Sequence, residues 1–158
     1  MIKNYQQLQV AYYPNNGCTC TGDCTNYNSI VWAGVPVPQV DLDDKFLDFL
    51  KDFRYGEIDA KTESLIEVGF VFGGHTFSMS TNAQINWSNF PNIPDALFPL
   101  NIMDIVDNLY VLSLANKMNF YLTALGFKNT QLQSGSVLKS QIKTCADVAC
   151  VNAVIDNR

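Results

Sequence analysis

The stretch Leu65-Ile-Glu-Val-Gly-Phe-Val-Phe-Gly-Gly-His-Thr-Phe-Ser-Met-Ser-Thr-Asn-Ala-Gln-Ile-Asn-Trp87 decides the fold of this chain. Gly69 reads as a helix exit, because glycine takes the left-handed conformation just past a helix end without a Cβ penalty. Phe70-Val-Phe and His75-Thr-Phe-Ser-Met flank Gly73-Gly74, and two glycines supply the positive φ values that a tight hairpin turn requires. Alternation then places Phe70 and Phe72 on one face of the hairpin. Thr81-Asn-Ala-Gln84 matches a capping box and predicts a short helix through Trp87.

Upstream of this hub the spacing is helical. Leu42, Phe46, Phe49, Leu50, Phe53, Ile58, Thr62, Leu65 and Ile66 form an apolar stripe from residue 41 onward, with acids on the other face. Asp41 reads as the N-cap, and Gly56 as a kink or a break into two helices. Val35-Pro-Val-Pro38 fixes an extended stretch and gives the one candidate boundary. Before it, Leu8, Val10 and Tyr12 alternate with Gln9 and Ala11, and Ile30-Val-Trp32 is a β-prone run. The expectation is two strands joined by a long loop.

Downstream, Pro91 and Pro94 end the short helix, and residues 97–103 and 109–112 read as strands around the turn at 104–108. Ser113 is positioned to cap a second long helix with apolar positions Met118, Leu122, Leu125, Leu132, Leu138 and Ile142, across Gly126 and Gly135. Thr144-Cys-Ala-Asp147 opens a terminal helix through Val148, Val151 and Ile155. The fold class is α+β: two long helices with a small antiparallel hairpin sheet and short accessory helices. The expected division is an N-terminal strand-bearing arm over 1–38, with a Cys-rich loop, and an α+β domain over 39–158.

A chain of 158 residues that is 47% apolar can bury a sizeable core. Its apolar runs are only a few residues long, far short of the roughly 18 that span a bilayer, and Met-Ile-Lys-Asn-Tyr-Gln-Gln lacks the core of a signal peptide. Synthesis and folding in the cytoplasm, with no membrane partner, are therefore expected. The net charge of -5 argues against a general nucleic-acid binder. Nine acids against four bases between Asp41 and Glu67 account for that whole charge, whereas Leu114 to Lys143 holds four lysines and no acid. Lys117, Lys128 and Lys139 lie eleven residues apart, a spacing that keeps them on one stripe of a continuous helix. That stripe is either a solvated face or an interaction surface for the acidic helix, within one protomer or across a subunit interface.

Cys18-Thr-Cys20-Thr-Gly-Asp-Cys24 places three thiols in a polar loop. Three readings stand open: reduced thiols, a disulfide such as Cys18 to Cys24, or a metal site whose fourth ligand comes from His75, Cys145 or Cys150. Cys145 and Cys150 otherwise read as small core residues. His75 is the only histidine, so any histidine acid/base chemistry depends on this one ring; the plainer reading is a partly exposed strand residue. Gly69, Gly73 and Gly74 do not form a phosphate-binding pattern, and Asp104, Asp107 and Asn108 lack the spacing of an EF-hand and read as a solvated turn. No catalytic residue and no cofactor is assigned.

Glu57-Ile-Asp-Ala-Lys-Thr-Glu-Ser-Leu-Ile-Glu-Val-Gly-Phe70, Phe77-Ser-Met-Ser-Thr-Asn-Ala-Gln-Ile-Asn-Trp87, Leu138-Lys-Ser-Gln-Ile142 and Val154-Ile-Asp-Asn-Arg158 resemble a domain of unknown function found in tail-fibre and other virion proteins of tailed bacteriophages. The resemblance covers about residues 39 to 158. It implies a structural virion protein, not an enzyme: a tail, fibre-attachment or neck component that binds other virion proteins in symmetric, homo-oligomeric copies. Two other functions remain open: an adsorption protein that binds a host glycan, and a small metal-dependent module using Cys18, Cys20, Cys24 and His75.

Overall fold

A computed structural model of the chain describes residues 3–158. Met1 and Ile2, the first residues of the expected N-terminal arm, lie outside the described residues. The class is α+β, with three antiparallel two-stranded sheets among the described residues. The chain forms two compact units, Met1–Glu57 with Leu138–Arg158, and Ile58–Val137, so the grouping does not follow a boundary at Pro38. Two long helices, α2 (Gln39–Glu67) and α4 (Lys117–Thr144), contribute residues to both units. Among the described residues, no helix is long and apolar enough to cross a membrane.

In the first unit, residues 5–12 are helical where a strand was expected. Asn4 caps α1 (Tyr5–Tyr12) by accepting the Gln7 amide. The alternation of Leu8, Val10 and Tyr12 misled because the real pattern is helical: Tyr5, Leu8 and Gln9 are buried at i, i+3 and i+4, while Val10 is exposed. The expected second strand forms as β2 (Ile30–Trp32), but its antiparallel partner is β1 (Cys18–Cys20), with Cys20 opposite Ile30. Tyr5, Leu8, Ile30, Val37, Leu42 and Phe46 make this unit's core. The Tyr27 hydroxyl donates to the Val37 carbonyl at 2.6 Å, fixing the stretch before Pro38. The Arg54 guanidinium donates to the Val154 carbonyl at 2.8 Å and holds the tail. The terminal helix, α5 (Val148–Ala153), starts later than Thr144, with Asp147 as the cap that accepts the Cys150 amide.

Helix α2 starts at Gln39, straight after Pro38, whose carbonyl accepts the Asp41 amide; Asp41 is thus in the first turn and is not the cap. The helix passes through Gly56 without a break. Its buried positions Leu42, Phe46, Leu50, Ile58, Thr62 and Ile66 all belong to the expected stripe and lie at multiples of four, while Phe53 of that stripe is exposed. Gly69, at φ +97°, closes the helix, and a Cβ there would lie 2.4 Å from the Phe77 carbonyl oxygen.

In the second unit, β3 (Phe70–Phe72) pairs with β4 (His75–Phe77) in the register Phe70 to Phe77 and Phe72 to His75, turned by Gly73 and Gly74. Ser80, not Thr81, caps α3 (Thr81–Ser88), while the Trp87 indole donates to the Ser78 carbonyl at 2.7 Å. The second hairpin pairs β5 (Leu100–Met103) with β6 (Leu109–Leu112). Ser113 makes no side-chain cap; a 3-10 turn, Leu114–Asn116, leads into α4, which is continuous through Gly126 and Gly135. Phe120 occupies the centre of the core, with the rings of Phe70, Phe72, Phe77, Trp87 and Phe90 all 5.0–5.2 Å from its own. Four of these five contacts are edge-to-face, the geometry that aromatic quadrupoles favour.

Candidate functional site

Of the six apolar positions read on α4, Ile142 is buried and Leu138 half-buried, but the four nearer its start point outward. Met118, Leu122, Leu125 and Leu132 are 48%, 56%, 39% and 44% exposed, while Phe120 and Ala124 are buried. At 100° per residue, the exposed set centres roughly 140° around the axis from Phe120 and Ala124. The helix therefore carries two apolar faces, and hydrophobic spacing marked the outer one. Beside that face, between α3 and α4, lies a groove of about 100 Å³ walled by Met79, Trp87, Tyr121 and Leu125, with Gln84 and Lys128 also lining it. The outer face of the β5–β6 hairpin is apolar too: Met103, paired with Leu109, and Val111 are at least half exposed.

The three lysines of the expected stripe are not equivalent. Lys117 is buried: its ammonium donates to Asp95 at 2.9 Å and to the Ile93 carbonyl at 2.6 Å, and lies over the Phe98 ring. It anchors the loop before β5 and is not presented to a partner. Lys128 is half-buried in the wall of the groove. Lys139 is half-buried and belongs to the other unit.

His75, on β4, is 28% exposed at its side chain and faces Asp104. The Asp104 carboxylate can only accept, so His75 Nδ1 carries the hydrogen and donates across 2.9 Å. Asp104 is 8% exposed. Burial opposes its charge, but the Asn108 and Val106 backbone amides, the Asn108 side chain and His75 all donate to it and hold its pKa down at about 2. The turn at 105–108 is exposed as expected, but Asp104 at its start is a buried hydrogen-bonding hub. The Ile105 amide donates to the Thr76 carbonyl at 2.9 Å, and the Tyr110 ring lies 5.1 Å from His75, so the pair clamps the two hairpins together. Among the described residues no serine, threonine or cysteine side chain is hydrogen-bonded to the imidazole, so the pair does not extend to a nucleophile. Asp104 carried one sequence signal, the Asp-Ile-Val-Asp-Asn run, in which an aspartate can accept the amides two and four residues on.

The thiols are paired differently from the Cys18 to Cys24 example. Cys20 bonds Cys24, and Cys145 bonds Cys150; Cys145 is buried as expected of a core residue, but Cys150 is exposed and serves as its cross-link. Cys18 remains a thiol, donates to Gln9 Oε1 at 3.1 Å, and is pushed up in pKa by burial. With Cys20 and Cys24 oxidised, two of the three loop thiols are unavailable as thiolate ligands, and His75 belongs to the other unit. Among the described residues no group of three or more His, Cys, Asp or Glu side chains is placed to hold a metal ion. No protein-family model matches the chain, and neither a curated protein nor a solved structure matches it.

Proposed function

We propose that the chain is a structural protein of a tailed-bacteriophage virion, a tail, fibre-attachment or neck component whose work is to bind other virion proteins. The reading draws on the motifs at residues 57–70, 77–87, 138–142 and 154–158. It is carried by the exposed apolar face of α4, seated on a helix that the Phe120 cluster holds rigid. Contiguous apolar surface on an ordered element is what an assembly subunit presents before it is covered. The protein acts through surface burial and not through catalysis. Cross-linking of intact particles followed by peptide mass spectrometry tests this: links from residues flanking the α4 face to other virion proteins are expected, and absence of the chain from purified particles would overturn it.

The aromatic groove favours one second reading. Trp87 and Tyr121 offer flat faces and Gln84 a polar group, the kind of surface on which a sugar ring packs, consistent with adsorption to a host glycan. Glycan-array binding that is lost on Tyr121→Ala would support it, and no binding above background would remove it.

A further inference from the structure

We infer that Cys18, Cys20 and Cys24 form a thiol–disulfide exchange switch that α1 holds in its resting state. It acts within the first unit and is independent of what the α4 face binds. Cys18 and Cys20 are two residues apart on β1 and so share one face of the strand, where both pack against the core of this unit. Helix α1 meets the same cluster. Gln9 Oε1 accepts the Cys18 thiol at 3.1 Å, and Gln6 Oε1 lies 3.8 Å from Cys24 Sγ. Gln6 and Gln9 are neighbours on one helix face, roughly 5–6 Å apart at Cβ, so the Cys18 and Cys24 sulfurs sit about one helical step apart along α1. The Tyr5 amide, which donates to the Cys24 carbonyl at 2.9 Å, keeps Cys24 beside the start of that helix.

A free thiol beside a disulfide is the reactant pair of exchange. Cys18 loses its proton to water, and its thiolate attacks Cys24 Sγ. The Cys18–Cys24 bond forms as Cys20–Cys24 breaks, and Cys20 leaves as a thiolate that takes a proton from water. One disulfide and one thiol stand on each side, so no oxidant or reductant is consumed. The Thr21-Gly22-Asp23 link is exposed, and Gly22 has open space around it, which leaves the loop room to follow the new bond. The free thiol thereby moves two residues along β1, to the edge of that exposed loop.

Gln9 sets the resting state. It is 2% exposed, and its Nε2 donates to the Tyr13 and Asn16 carbonyls, which turns Oε1 towards Cys18. After exchange Cys18 has no hydrogen to give, and that buried acceptor loses its donor. Leaving a buried polar group without its partner corresponds to a bias of roughly 5- to 100-fold for the Cys20–Cys24 pairing. Burial also raises the Cys18 pKa, which keeps the attacking thiolate scarce. Lifting α1 from β1 removes the acceptor and frees the thiol.

Differential alkylation of the full chain reads the switch. Chain held in mildly alkaline buffer without added thiol is quenched in mildly acidic denaturant, its free thiol is blocked with N-ethylmaleimide, and the remaining cysteines are reduced, labelled with iodoacetamide and placed by tandem mass spectrometry. Maleimide is expected on Cys18 in most chains and on Cys20 in the remainder, at a ratio unchanged by dilution. Gln9→Leu, which cannot accept, should cut the Cys18 to Cys20 ratio roughly 5- to 100-fold. Cys20→Ser, which leaves Gln9 in place, should close Cys18 to Cys24 on exposure to oxidised glutathione, with an unchanged circular dichroism spectrum. Maleimide confined to Cys18, a Cys20 share that grows with chain concentration, or a Cys20→Ser chain that keeps both thiols free would overturn the switch. An unchanged ratio in Gln9→Leu would overturn its control by α1.

Discussion

Replacing Phe120 by alanine removes the ring against which five others of its cluster pack. A buried Phe→Ala change costs about 3–5 kcal/mol through lost transfer energy and the cavity left behind. Here five aromatic partners at 5.0–5.2 Å lose a neighbour at once. Favourable ring pairs contribute about 0.5–1.5 kcal/mol each beyond area, although shared partners make them less than additive. The expected loss is therefore at the top of the range, about 5 kcal/mol, comparable to the whole stability of a marginal domain. With a urea slope of about 2 kcal/mol/M, the midpoint falls by roughly 2.5 M. Trp87 packs against Phe120, and the other tryptophan, Trp32, lies in the other unit. Fluorescence of a Trp32→Phe background thus follows the affected unit alone. An Ile85→Ala control, at a 56% exposed site in the same unit, should shift the midpoint by less than about 0.5 M. A loss below about 2 kcal/mol for Phe120→Ala would refute the placing of that ring at the centre of the core.

Three further outcomes follow from the same geometry. Asp104 has a folded pKa of about 2 against the ordinary 3.8, so its contribution is fully present above about pH 4 and is lost as pH falls through 2. Asp104→Asn should lower stability at pH 7 and flatten the acid limb of a stability-versus-pH curve between those values; an unchanged limb would contradict the hub. Gly73 sits at φ +58°, and a Cβ there would lie 2.8 Å from the Tyr110 ring, so Gly73→Ala should cost about 1–3 kcal/mol by thermal or urea unfolding, partly restored by Tyr110→Leu. Reduction of Cys20–Cys24 and Cys145–Cys150, which close loops of only a few residues, should lower stability by about 2 kcal/mol each, and a reduced chain as stable as the oxidised one would show that neither link constrains folding.

The central stretch was legible because its signals are local. Gly69 and Gly73-Gly74 announce conformations that few other residues adopt, and the chain adopts them there. Helix α2 was legible because its apolar positions recur at helical intervals over nearly seven turns. Residues 5–12 were not, since a five-residue window satisfies both periods and only the packing of Tyr5 and Leu8 chooses between them. Periodicity found an apolar face on α4 but not which of two faces points inward; that depends on where Phe70, Phe77 and Trp87 lie, which no local pattern contains. Asp104 was read as solvated because its fourth donor, His75, comes from 29 residues away. The choice of Cys20 over Cys18 as the partner of Cys24 likewise depends on the β1–β2 register, and connectivity is not derivable from cysteine spacing.

The assembly role is tested most directly by quantifying the chain in purified virions. Peptide mass spectrometry against isotope-labelled standards should find it at a fixed, integral ratio to the other structural proteins, retained after washing in high salt because apolar burial and not ion pairing holds it. A chain that stays in the soluble fraction of the lysate, or is stripped from the particle by salt, would contradict the role.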